Sequence, residues 1–156
     1  MITFDDFKKL ENILKKNTSV VSSLLSMMLY TGCNLYELMG LETSDIYLDK
    51  FQSFIIIRNN SIRQIKSVYK IRTIPLVGIS RHGAQFIFDM LNEGEILFDK
   101  KKIKRVENSI KKILINNVTA KSLSSIKLFL VSRLIKIECP EEIILEIIGR
   151  SKKNNL

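Results

Sequence analysis

Apolar residues recur at helical spacing over most of the chain, and two interruptions in that period divide it. Phe7, Leu10, Ile13 and Leu14 follow Thr3-Phe4-Asp5-Asp6, which has the form of a capping box, so a helix is expected to start there. Asn17 to Ser19 breaks the pattern. A second, more apolar helix is expected from Val20 to Tyr30, with Val21, Leu24, Leu25 and Met28 inward and Gly32 as its stop. Asn34 to Leu41 reads as a short helix capped by Asn34, with Glu37 in its first turn. The period then shortens to that of strands. Asp45 to Leu48 and Phe54 to Ile57 flank a turn at Asp49-Lys50, and Arg72 to Leu76 ends a third strand after the Asn59-Asn60-Ser61 turn. Helical spacing returns at Arg81 to Leu91, Lys100 to Ile115 and Ser122 to Ile137. Pro140 opens a last helix, which Gly149 closes. The expected fold is mainly α with a small three-stranded antiparallel sheet (α+β), in one domain over residues 1–156.

Composition narrows the partners. The chain is 46% hydrophobic, enough for a packed interior, and no apolar run reaches the ~18–20 residues that span a bilayer. The amino-terminal segment is charged from the start and reads as no signal peptide, so a cytoplasmic protein, nucleoid-associated or wherever its DNA lies, is expected, without a membrane partner. A net charge of +9 favours polyanions. The helix from Lys100 to Ile115 sets Lys100, Lys101, Lys102, Lys104, Arg105, Lys111 and Lys112 against Ile103, Val106, Ile110, Ile113 and Leu114. Such a run is more often a solvated face than a DNA footprint. Cys33 and Cys139 lie far apart in apolar surroundings without metal-ligand spacing, so no metal and no disulfide framework are expected. His82 is the single histidine, with no nucleophile near it in sequence, and a solvated position at a helix start suits it best.

Leu29-Tyr30-Thr31-Gly32-Cys33-Asn34-Leu35-Tyr36-Glu37-Leu38-Met39-Gly40-Leu41 resembles the first signature of the tyrosine recombinase (phage integrase) family, Leu-Tyr-Thr-Gly-x-Arg-x-x-Glu-Leu-x-x-Leu. Asp45-Ile46 matches the Asp-Ile pair that follows it, and Arg72-Thr73-Ile74-Pro75-Leu76 matches the Arg-x-Ile-Pro-Leu strand. Ser124-Ser125-Ile126-Lys127 and Ile148-Gly149-Arg150-Ser151 stand where the family has His-x-Leu-Arg and Leu-Gly-His-Ser. The resemblance runs from Thr3 to Ser151 and implies a catalytic-type domain without the family's N-terminal core-binding domain.

In that family two arginines hold the phosphate, a lysine and a histidine move protons, a second histidine supports the site, and a tyrosine attacks phosphorus. No cofactor or metal is implied. Here Asn34 and Lys127 replace the arginines, while Ser124 and Arg150 replace the histidines. The hairpin lysine is Lys66 or Lys70. Tyr30, Tyr36, Tyr47 and Tyr69 all precede Gly149. The resemblance thus implies a degenerate site without strand cleavage. It also implies residual contact with double-stranded DNA through Arg58, Arg63, Lys66, Lys70, Arg72, Lys127 and Arg150, weak and salt-sensitive. A scaffold reused for protein contact, with a homo-oligomer or recombinase partner, is the alternative. A recombinase domain cut before its tyrosine is the third.

Overall fold

A computed structural model describes residues 1–119 and 122–151. Seven α-helices and three short strands follow in the order α1 (Phe4–Lys16), α2 (Val20–Thr31), α3 (Leu35–Met39), β1 (Ile46–Tyr47), β2 (Phe54–Ile57), β3 (Arg72–Pro75), α4 (Ser80–Asn92), α5 (Lys100–Asn117), α6 (Ser124–Lys136) and α7 (Glu141–Ile148). The sheet is antiparallel in the order β1-β2-β3, with Ile55 opposite both Ile46 and Ile74. The expected mostly helical fold with a small sheet is the observed one.

Local chemistry places the ends of the helices. Thr3 and Asp6 exchange hydrogen bonds in the capping box of α1, and Asn34 with Glu37 does the same for α3. The basic run from Lys100 starts behind Asp99, whose carboxylate accepts from the Lys102 amide. On α5 the buried side is Val106, Ile110 and Leu114, and Glu107 pairs with Lys104 and Lys111 on the solvent side.

Three expectations need correction. Helix α2 is no one-sided amphipath: every residue from Ser22 to Leu29 is buried, because α1, α3, α4, α5 and α6 all pack on it. Val21 and, on α1, Ile13 are half-buried rather than inward. Asp45 belongs not to a strand but to a 3-10 turn, Thr43–Asp45, where its fully buried carboxylate accepts from the Glu42 amide, Asn60 Nδ2 and Arg58 Nε.

Arg133 ties α1, α2 and α6 together. Its guanidinium lies 4.4 Å from the Phe7 ring centre, 5.6 Å from Phe129 and 5.7 Å from Tyr30, so one cation is shared by aromatic faces of α1, α2 and α6. Its Nη1 has no hydrogen-bond partner, and the ring faces around it are the compensating acceptors.

The contact between α2 and α4 depends on Gly83. A Cβ there would stand 2.4 Å from Ser26 Oγ and 2.7 Å from the Ser23 carbonyl oxygen. Helix propensity alone would reward Gly83→Ala by about 1 kcal/mol. Forcing α4 off α2 costs on the order of 1–3 kcal/mol, and the clash with backbone decides the sign. Gly83→Ala is expected to lower the thermal midpoint, read by circular dichroism.

Candidate nucleic-acid interface

The positions that the resemblance marks as degenerate come together. Asn34 at the start of α3, Ser124 and Lys127 one turn apart on α6, and Arg150 after α7 all line one cavity of about 400 Å³. These residues are separated by up to 116 positions in sequence, so only the tertiary fold unites them. Asn34, Ser124 and Arg150 are exposed and Lys127 is half-buried.

Arg72, which meets Cys33 of the cavity wall, is not the surface cation that was expected. Its side chain is 2% exposed and all five of its N–H donors are engaged. Nη1 donates to Glu37 Oε2 at 2.7 Å and to the Lys70 carbonyl at 2.7 Å. Nη2 donates to Glu37 Oε1 at 3.1 Å and faces Cys33 Sγ at 3.7 Å, and Nε donates to the Ile147 carbonyl at 2.7 Å. Gly149 makes room for this arrangement. It sits at φ 69°, a left-handed conformation that disfavours side chains, and a Cβ would lie 2.8 Å from Arg72 Nη1.

Arg63 also departs from expectation. It is buried, and it donates from Nη1 to the Glu37 carbonyl and from Nη2 to the Arg58 carbonyl, bracing α3 against the hairpin. Arg58, with 37% of its side chain exposed, is held by Asp45 at 2.8 Å and by the Ser44 carbonyl. Arg63 and Arg72 therefore leave the set of residues free for phosphates, and Arg58 is largely engaged. The sequence marked them only as cations near the hairpin; their partners lie too far along the chain to be read there.

Of the two hairpin lysines, Lys70 is half-buried and its charge acts on Lys127. Lys66 is exposed. Burial is the main reason the Lys127 ammonium titrates below its ordinary range; Lys70 and Arg72 add repulsion, and Glu37 opposes it. Glu37 shows the opposite balance. Burial raises its pKa, but the hydrogen bonds and charge of Arg72 outweigh burial and hold the carboxyl below its usual range. Burial also pushes the Cys33 thiol up to about 11, as expected of an inert structural cysteine. His82 is exposed at the start of α4. Among the described residues no group of three or more His, Cys, Asp or Glu could hold a metal ion, and no helix is long and apolar enough to cross a membrane. The tail after Ser151 lies outside the described residues.

This mostly helical chain with a small three-stranded antiparallel sheet has the integrase-type catalytic-domain fold. Among the solved structures it is similar to are those of the integrase of transposon Tn1549. With that integrase in complex with circular intermediate DNA, the TM-score is 0.67 at 14% identity, over 96% of this chain and 58% of that one. With a point variant in complex with transposon right end DNA, it is 0.63 at 16% identity, over 96% and 57%. The chain thus spans less than two thirds of those integrase chains. No sequence model of a known family matches it, and no curated protein matches it in sequence.

Two predictions follow from the geometry. Glu37→Gln leaves Arg72 charged and buried beside a neutral partner, which is expected to cost about 3–5 kcal/mol. A double change to Glu37→Gln with Arg72→Met should recover part of that loss in urea denaturation. Since the Glu37 carboxyl is depressed in the folded state, its contribution is present above the unfolded-state pKa and is lost as pH falls through the lower folded value. Lys127 has the reverse sign. A lysine whose folded pKa is lowered opposes folding while charged, so Lys127→Met is expected to raise the thermal midpoint, read by circular dichroism.

Proposed function

We propose that this chain is an integrase-like DNA-binding domain that grips duplex phosphates and does not cleave them. The observation carrying this reading is the meeting of Asn34, Ser124, Lys127 and Arg150 at one cavity, where the resemblance places two arginines and two histidines. The charge is kept and the chemistry is not. Asn34 has an amide where a guanidinium would stabilise developing charge, and its Oδ1 is occupied in capping α3. Lys127 offers a point charge without the bidentate fork of arginine. Ser124 has no imidazole to move a proton. Loss of one such donor costs on the order of a hundred- to a thousandfold in rate, and here the losses coincide.

The revised contact set is Lys66, Lys70, Lys127 and Arg150, with Arg58 at its edge and with Arg63 and Arg72 as internal braces. The partner is double-stranded DNA, a reading supported by the DNA in the structures of the Tn1549 integrase. Phosphate contacts position a protein and carry little sequence information, so the binding is weak and largely sequence-independent.

Fluorescence anisotropy with a labelled duplex tests this. Affinity is expected to fall with a log–log salt slope of about −3 to −4, near −0.9 for each of four neutralised phosphates. Lys127→Met should flatten the slope by about one. Asn34→Arg should tighten binding while lowering the thermal midpoint, because the cap is worth about 1 kcal/mol. A suicide duplex should yield no covalent adduct with either protein. Absence of binding at low salt would sink the DNA reading.

A specific surface favours the alternative of protein contact. Val77 and Ile137 are exposed beside a groove lined by Leu130, Leu134 and Ile147. If duplex binding fails, self-association measured by light scattering across concentration decides whether that surface pairs two copies.

A further inference from the structure

The cavity that gathers Asn34, Ser124, Lys127 and Arg150 has an apolar lining that a DNA backbone does not explain. Met28, Cys33, Leu35, Leu123, Ile126 and Leu128 form most of its wall. Phosphates and sugars are met by charges, hydroxyls and amides, not by a wall of thioether and aliphatic carbon. Pockets of roughly 300–1,000 Å³ with mostly apolar linings and a few convergent polar groups are built for small molecules. At about 400 Å³, this one lies within that range.

Its polar groups share one character. Lys127 and Arg150 are cationic, and Asn34 Nδ2 is a donor without a partner among the described residues, since capping uses only its Oδ1. Lys70 and Arg72 add positive charge behind Lys127. Glu37, whose charge reaches Lys127, is already held by two arginine nitrogens. Cations thus outnumber their counter-charges around a largely apolar cavity.

We infer that this cavity binds a small amphipathic anion, a phosphate monoester or carboxylate carried on an apolar body. The apolar body lies against Met28, Leu35 and Ile126, and the anion meets Lys127, Arg150 and the Asn34 amide. Because Lys127 and Arg150 also belong to the proposed DNA contact set, such a ligand displaces duplex DNA; that regulatory half rests on the function proposed above.

n-Octyl phosphate, used below its micelle-forming concentration, is the probe. The full chain is labelled at its methionine methyl groups with carbon-13. Of its five methionines Met28 alone lines the cavity. The Met28 signal is expected to shift saturably while Met90 stays still. n-Octanol and inorganic phosphate should each bind at least tenfold more weakly. Lys127→Met should weaken the ester at least tenfold and leave octanol unchanged, and Ser124→Phe, which fills the mouth from an exposed position, should abolish the shift.

An unmoved Met28 overturns the inference. So does an equal response to inorganic phosphate, which marks a bare anion site, or to octanol, which marks an unselective crevice. Binding only to vesicles containing phosphatidic acid, without a Met28 shift from the free ester, overturns it as well. Displacement of labelled duplex by the ester, but not by inorganic phosphate at equal ionic strength, supports the regulatory half. If duplex never binds, the DNA reading fails while Met28 still decides the ligand site. If the ester moves Met28 and the duplex stays bound, the competition is refuted.

Discussion

The pair between Arg72 and Glu37 is the constraint on which the arrangement around the cavity rests. Burying two charges is expensive, and a pair of this kind is tolerated only when further hydrogen bonds satisfy what remains. Here they do. The guanidinium engages the carboxylate with two nitrogens and also reaches the carbonyls of Lys70 and Ile147, while the Glu37 carboxylate accepts the Asn34 amide. One cation therefore holds the start of α3, the end of the hairpin and the end of α7 in register. Asn34, Lys70 and Arg150 are carried on those three segments, so their positions are set by a buried residue.

Around that brace, Asn34 serves as a helix cap and Lys127 is half-buried, its ammonium desolvated by burial. The apolar wall is a separate property of the same cavity, formed by Met28, Cys33, Leu35, Leu123, Ile126 and Leu128.

Local signals were readable in the chain itself. The Thr3 and Asn34 caps, the stop at Gly149, the hairpin and the buried stripe of α5 all follow from rules that act over a few residues. The four degenerate positions could be named from motif spacing, and they do share a cavity. What spacing could not reveal was the fate of the arginines. Arg63 and Arg72 look like Arg58 or Arg150 in sequence, yet their partners lie 26 and 35 residues away, or 75 for the Ile147 carbonyl, so burial was decided by contacts that no window contains. The same applies to α2, whose amphipathic pattern is weak because five other helices surround it, and to Asp45, which the strand pattern absorbed although its side chain closes a turn. The apolar wall was invisible for another reason. Its members come from α2, from the start of α3 and from α6, and each reads as ordinary core.

The link from Arg72 to the Ile147 carbonyl also bears on the order of events during folding. Contacts between distant parts of a chain form late, because a large loop must close before they are rewarded. The brace joins residues 37, 72 and 147, so a chain whose last helix has not docked has not brought Arg150 to the cavity, even with its sheet and its first helices in place. Whatever occupies the cavity thus meets only the finished fold. Its binding free energy adds to the docking of the last helix, and the amide protons of α7 become the place where occupancy is recorded as slowed exchange.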